Sequence, residues 1–316
     1  DLLNENSLIF KNFTNKKNFN NFKNFKKFKT IIIIGMGGSV LGAKSIYGFL
    51  KFKIKKKFIF VDNLDEYYLM SIKKKNNLSK SLFLIISKSG NTTETILNTY
   101  FFRPYLKKKN TIILSEKTNS FLRNLAQKNN FCFVEHKKFV GGRYSVLTDV
   151  GMLPAYLMDL DTMYFKKDLN KLLNKKKLLN NSVNEINRLK LKKTNILILL
   201  NYIPELNNFL YWCQQLFAES LGKHLKGFLP VVSNAPKDHH SLLQLYLDGP
   251  KDKVFYVFSH KKSNSKKIKS GFFEKDFYYL NNKNYNDVKV SQKNAFLNML
   301  KSNGIPFREI LVKKFD

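Results

Sequence analysis

The residues most able to do chemistry sit in short, mixed motifs. The densest is Ser87-Lys88-Ser89-Gly90-Asn91-Thr92-Thr93-Glu94-Thr95. It follows an apolar run at 82–86 and opens a predicted helix. Hydroxyls and unpaired N–H groups then gather at the positive end of that helix, which holds a phosphate without a metal. A helix cap alone needs one such hydroxyl. We therefore take Ser87, Lys88, Ser89, Thr92 and Thr95 as candidate phosphate ligands.

A second loop, Gly35-Met36-Gly37-Gly38-Ser39, also lies between an apolar run and a helix start. Such a loop lets backbone amides approach an anion, or it is simply a tight turn. A dinucleotide fingerprint places its third glycine where Val40 stands, although Asp62 suits a ribose acid; no Gly-Lys-Ser/Thr of a P-loop follows. Gly141-Gly142-Arg143-Tyr144-Ser145 pairs two glycines with an arginine, whose permanent charge can stabilise an oxyanion. In Gln214-Gln215-Leu216-Phe217-Ala218-Glu219, Gln215 and Glu219 share a helix face. Glu219 sits near the helix end, at the edge of the apolar stripe. There both the dipole and burial raise a carboxylate pKa, as suits a general base. Asp238-His239-His240-Ser241 offers an imidazole as proton shuttle, while two adjacent histidines at a helix start point apart and make a poor metal pair.

The elements that must carry these loops alternate. Strands are expected at 31–34, 58–61, 82–86, 111–114 and 131–134, with helices at 40–50, 67–74, 92–105 and 120–128. Short β-branched runs between helices argue for a parallel, doubly wound sheet. Residues 151–191 read as Leu- and Lys-rich helices. A second alternating set follows: strands at 195–200, 228–232, 253–259 and 307–312, helices at 205–221, 240–247 and 291–301. The stretch 260–292 reads as surface loop with a short strand at 277–280. We expect an N-terminal domain over 1–160, a helical connector over 161–191 and a C-terminal domain over 192–316.

The 316 residues carry a formal net charge of +33. That invites a nucleic-acid surface. Yet only Arg103, Arg123, Arg143, Arg188 and Arg308 are arginines among 56 Lys and Arg. Base-edge recognition leans on arginine forks, and lysines scattered with Asn, Ile and Phe fit compositional bias instead. Such a field also attracts an anionic metabolite. Cys132 and Cys213 are too few for a disulfide framework or a zinc site. No apolar run reaches the ~20 residues of a membrane span. Residues 1–15 lack a cleavage pattern. We expect a cytoplasmic protein with no membrane, metal or nucleic-acid partner.

In order, GMGGSVLG, SKSGNTTET, GGRYSVLT, ESLGK and HHSLLQLYLDG resemble the glucose-6-phosphate isomerase family, which is built from two sugar-isomerase (SIS) domains. The resemblance runs from about residue 31 to about residue 249. It implies two SIS-type doubly wound parallel-sheet domains flanked by helices, and no metal or organic cofactor. It further implies a homodimer with shared active sites and a sugar phosphate as substrate. By position, Gly38 and Ser39 lie beside the substrate and Arg143 resembles the arginine that stabilises the enediolate. Glu219 is similar to the base that moves a proton between C1 and C2. His240 is similar to the ring-opening histidine, supplied across the subunit boundary. We add Gln215 as a substrate-binding residue. A late family lysine has no match before Asp316, so the C-terminal domain is expected to be truncated. The SGNTTET form also occurs in enzymes acting on both glucose and mannose phosphates, whereas GGRYS favours the dedicated enzyme. A non-catalytic sugar-phosphate sensor shares the phosphate loop but has no use for Glu219, Arg143 and His240 together.

Overall fold

The computed structural model describes residues 7–15, 17–169, 171, 175–191, 194–260, 266–269, 271 and 273–313. The chain divides into two compact units, Asp1–Lys176 and Lys177–Asp316. The division falls inside the 161–191 segment.

Unit 1 holds five strands: β1 (Thr30–Ile34), β2 (Lys57–Val61), β3 (Leu82–Ile86), β4 (Thr111–Ser115) and β5 (Cys132–Glu135). They pair in parallel in the order β2-β1-β3-β4-β5. Period-2 alternation explains the layering. Ile31 and Ile33 join one apolar cluster, with Leu82, Leu84, Ile112 and Leu114. Ile32 and Ile34 join the cluster on the other face, with Phe83, Ile85 and Ile113. All four isoleucines have 0% exposure. Each such burial contributes roughly 1.5–3 kcal/mol. Only a sheet covered on both faces uses an unbroken apolar run this way.

Helices supply the cover. α1 is Leu8–Thr14, α2 Leu41–Phe49, α3 Glu66–Lys75, α4 Thr93–Phe101, α5 Phe121–Lys128 and α6 Asp149–Leu157. Ala43 and Ile46 of α2 and Val150, Met152 and Leu153 of α6 pack on the Ile31 face. Leu69 and Ile72 of α3 and Leu122 and Ala126 of α5 pack on the Ile32 face. α6 is buried over nearly its whole length, so residues 149–157 belong to the core of unit 1. The phenylalanines at 22, 25 and 28 pack against the first cluster from a 3-10 helix, Asn20–Lys27.

Unit 2 repeats the plan. β6 (Ile196–Asn201), β7 (Leu229–Asn234), β8 (Lys253–His260) and β9 (Phe307–Val312) run in parallel in the order β7-β6-β8-β9. Its helices are α7 (Lys176–Leu191), α8 (Asn207–Leu221), α9 (His239–Leu247) and α10 (Tyr285–Ser302). Two expectations for 260–292 fail. Residues 275–280 form a 3-10 helix, and α10 starts six residues before position 291. Asn284 accepts from the N–H groups of Asn286 and Asp287, while Asp287 accepts from the Asn284 N–H. That capping box starts the helix early.

In both sheets the first strand lies between the second and third. The chain therefore leaves the inner strands in opposite directions, opening a crevice at their carboxyl ends. In unit 1 that point lies between β1 and β3. Gly35 ends β1 there, and a Cβ on it would lie 2.6 Å from the Ile86 carbonyl oxygen. A Cβ on Gly38 would lie 2.3 Å from the Gly142 carbonyl carbon and 2.6 Å from the Arg143 nitrogen. The loop after β1 and the loop after β5 thus touch backbone to backbone.

Gly38→Ala should lower stability by about 1–3 kcal/mol through overpacking. A Cβ on Gly142 meets nothing within 4 Å, so Gly142→Ala should keep the wild-type urea midpoint. Equal midpoints for both variants would show that this close approach does not matter.

Candidate functional site

The phosphate-loop candidates occupy the crevice of unit 1. Ser87 ends β3, nearly buried, and its Oγ lies 2.8 Å from the Thr92 Oγ1. The Gly90 N–H donates to the Ser87 Oγ at 3.2 Å. Gly90 has φ +69, the left-handed conformation that glycine adopts without strain. Ser89 faces solvent and accepts the Asn91 N–H. Thr95 is fully exposed to nothing: its exposure is 0%, and its Oγ1 has no hydrogen-bond partner among the described residues. Ser87 and Thr92 are thus brought together, while Ser89 and Thr95 bond to neither. Lys88 reaches Glu116, with Nζ 3.7 Å from Oε1.

Thr92 is the N-cap of α4 but makes no side-chain cap bond. Its hydroxyl faces Ser87 instead. Among the described residues nothing accepts the N–H groups of Thr93, Glu94 and Thr95. Those three donors lie at the positive end of a helix, where an anion is favoured.

The loop is braced from behind. Its Ser87 N–H donates to the Leu114 carbonyl, and the Gly90 carbonyl accepts from Leu122 N–H. Asn91 Oδ1 accepts the Phe121 N–H at 2.8 Å, so Asn91 ties the loop to the start of α5. Asn91 was not among the sequence candidates. The Ser-Gly-Asn turn signal marks a bend there but does not say what the amide side chain reaches.

The other unit 1 candidates adjoin one another through the Gly38–Gly142 contact. Gly38 lies in the 3-10 turn Gly37–Ser39. Arg143 lies in the 3-10 turn Gly142–Leu147, with its guanidinium 4.5 Å from the Tyr144 ring centre. Ser145 Oγ donates to the Gly142 carbonyl at 2.6 Å and to the Gly38 carbonyl at 3.3 Å. Asp62, the ribose acid of a dinucleotide reading, is engaged by Lys44 at 2.6 Å, and Val40 is fully buried.

In unit 2, Glu219 and Gln215 lie on α8. Gln215 Nε2 donates to Glu219 Oε1 at 2.7 Å. Glu219 is exposed near the helix end, so the expected burial is not present. Leu210 is buried at 0% exposure, and Glu219, nine residues on, lies about 180° round the helix from it. Gly222 caps the helix, its N–H bonding the Ala218 carbonyl.

His239 and His240 open α9 at the carboxyl ends of β6 and β7. Asp238 Oδ2 accepts the Asn234 N–H at 2.7 Å and the Ser233 hydroxyl at 3.0 Å, fixing the turn. His240 is exposed. His239 packs 5.0 Å from the Phe296 ring, and its Nε2 lies 3.0 Å from the Tyr202 hydroxyl. Burial pushes the Tyr202 phenol up and the His239 imidazole down. Which of the two atoms donates is set by the His239 tautomer. The two adjacent histidines therefore differ: His239 is half-buried against Phe296 and Tyr202, and His240 is exposed. Among the described residues no group of three or more His, Cys, Asp or Glu is placed to hold a metal ion. No helix there is long and apolar enough to cross a membrane.

The phosphoglucose isomerase family profile matches residues 5–228. The chain belongs to that family. It is 34% identical to glucose-6-phosphate isomerase of Methanocaldococcus jannaschii over 290 residues, covering 87% of this chain and 71% of that one. It is 33% identical to a probable glucose-6-phosphate isomerase of Methanococcus maripaludis, covering 90% and 68%. Among solved structures, a hypothetical protein from Thermus thermophilus superposes with a TM-score of 0.82 at 22% identity, over 94% of this chain and 77% of that one. A glucose-6-phosphate isomerase from Chlamydia trachomatis gives 0.74 at 18% identity, over 93% and 62%. At those identities the structures establish the fold: two parallel-sheet α/β units of the kind the sequence motifs implied.

His239 makes stability depend on pH. Its folded pKa lies below the ordinary ~6.5, so the unfolded chain takes up the proton first. The stability tied to its neutral form is complete above pH ~6.5 and is lost as pH falls through the folded value. His136, also buried, is lowered mainly by burial and adds in the same sense. The urea midpoint should fall between pH 7.5 and pH 5, and His239→Gln should flatten part of that fall. An unchanged slope in His239→Gln would remove His239 from the account.

Proposed function

We propose that this chain interconverts glucose 6-phosphate and fructose 6-phosphate, and that its residues alone carry the chemistry. The observation that carries this reading is the anion cradle at the start of α4, with unpaired N–H groups of Thr93, Glu94 and Thr95 beside the Ser87–Thr92 hydroxyl pair. It sits at the β1/β3 crevice of a chain whose family profile is phosphoglucose isomerase. There the substrate phosphate binds to Ser87, Ser89, Thr92 and Thr95, with Lys88 supplying charge. Gly38 and Ser39 border the sugar.

The reaction then needs three acts. His240 moves the proton that opens the ring. The Glu219 carboxylate takes the proton from C2 of the open aldose and returns it to C1, while a proton passes from the C2 oxygen to the C1 oxygen. Carbon is oxidised at C2 and reduced at C1 within one molecule, so no external oxidant enters. Arg143 stabilises the negative charge that builds on the enediolate oxygens. Gln215, bonded to Glu219, holds the carboxylate in place. We further propose a two-fold homodimer in which His240 acts across the axis, with the reaction in the cytoplasm.

Glu219→Gln should bind substrate with KM near wild type while kcat falls ~10²–10⁴-fold, the usual span for a general base. A coupled fructose-6-phosphate assay reads it, and near-normal kcat would sink the assignment. Subunit sharing is read by mixing His240→Ala with Glu219→Gln chains under exchange conditions. Each homodimer should be nearly inactive, while heterodimers regain one intact site. No recovery after verified exchange would place His240 in its own chain's reaction.

A further inference from the structure

A loop that holds a phosphate dianion has a carboxylate built against it. Glu116 follows β4, the strand beside β3. Its backbone N–H donates to the Lys88 carbonyl at 3.0 Å. Its side chain is mostly buried, at 14% exposure, and lies 3.7 Å from the Lys88 ammonium. The backbone bond fixes where the carboxylate stands relative to the loop. The side-chain separation is longer than a hydrogen bond, so the ammonium is held by charge without committing its N–H groups. His136 sits behind them, 4% exposed, with its backbone N–H on the Ser115 carbonyl. It feels the charges of Lys88, Glu116 and Asp149, and burial keeps it neutral at physiological pH. Lys88 and Glu116 thus place one cation and one anion at this edge of the loop, with Glu94 a further carboxylate in the first turn of α4.

We propose that Glu116 is a positioning residue that sets the strength of phosphate binding by holding Lys88 and opposing the incoming dianion. The inference rests on the reading of Ser87–Thr95 as the phosphate loop. Without Glu116, Lys88 would add an uncompensated positive charge to a cradle already made of hydroxyls and amides. Binding would tighten for substrate and product alike. Binding that is equal in ground and transition states lowers KM without raising kcat, and it slows release. A charge removed several Å from the anion, in a partly screened setting, should change affinity roughly three- to tenfold.

The test uses inorganic phosphate as the probe, with calorimetric Kd measured on the full chain. Glu116→Gln keeps the backbone bond and removes the charge. It should lower the phosphate Kd three- to tenfold and lower KM in parallel, with kcat unchanged or reduced. Glu116→Asp restores the charge and should return Kd toward wild type. Lys88→Met should weaken phosphate, and in that background Glu116→Gln should tighten it by a smaller factor. A purely structural role for Glu116 predicts weaker binding in Glu116→Gln, and that result or an unchanged Kd overturns the proposal. If Lys88→Met and Ser87→Ala both leave the phosphate Kd unchanged, the phosphate loop itself is misplaced. If they weaken phosphate while Glu116→Gln does not tighten it, only the role of Glu116 fails.

Discussion

The close approach of two backbones at Gly38 and Gly142 is the constraint on which the first unit's site depends. Three loops end at one rim of the sheet because all its strands run parallel. Proximity alone does not align them. Gly38 lets the loop after β1 lie directly on the turn that carries Arg143, and Ser145 bonds across the seam. Gly42, one turn into α2, does the same for Val146: a Cβ there would lie 2.7 Å from Val146 Cγ2. Gly151 of α6 closes on the Val146 carbonyl oxygen, 2.0 Å from where a Cβ would stand. Glycines at 38, 42 and 151 thus clamp a single turn, and Arg143 rides on it. The arginine is aimed by backbone packing that no flexible side chain has to maintain.

The Ser87–Thr95 loop is held by a different device. Its shape comes from hydrogen bonds to the next βα connection: Leu114, Glu116, Phe121 and Leu122 each bond to it. The loop's hydroxyls take part as well: Ser87 Oγ accepts the Gly90 N–H and faces Thr92, and Ser89 accepts the Asn91 N–H. In unit 2, Asp238 builds the turn before α9, half-buried His239 packs on Phe296, and His240 is exposed.

Much of this could be seen in the sequence because the signals were local. The run at 31–34 alternates between two buried faces, so its apolar residues announce a covered strand. The SKSGNTTET motif places its hydroxyls and its helix start within one short stretch, and both the turn and the helix follow from it. What stayed hidden depends on contacts between distant segments. Glu219 is not such a case: counting about 100° per residue from Leu210 puts it on the far side of the helix, where it is exposed. Nothing around Asn91 reveals that Phe121 will come to meet its side chain. The early start of α10 was obscured because Lys and Asn dominate 260–292, and the Asn284–Asp287 capping box is legible only as a weak pair within them. Residues 149–157 fall within the expected N-terminal domain, and in the structure they are core.

The strand order has a consequence for how the chain is made. Thr30–Ile34 pairs on one side with Lys57–Val61 and on the other with Leu82–Ile85. Both partners are synthesised later. As the chain emerges from a ribosome, four consecutive isoleucines are out with neither edge satisfied and neither face covered. That interval lasts until the segment through Ile86 has followed, several seconds at ~5–20 residues per second. A short β-branched run without charge or proline is the kind of segment that pairs with copies of itself. The lysines crowded into 23–29 immediately ahead of it repel such copies, giving the basic bias of this chain a protective use during its own synthesis.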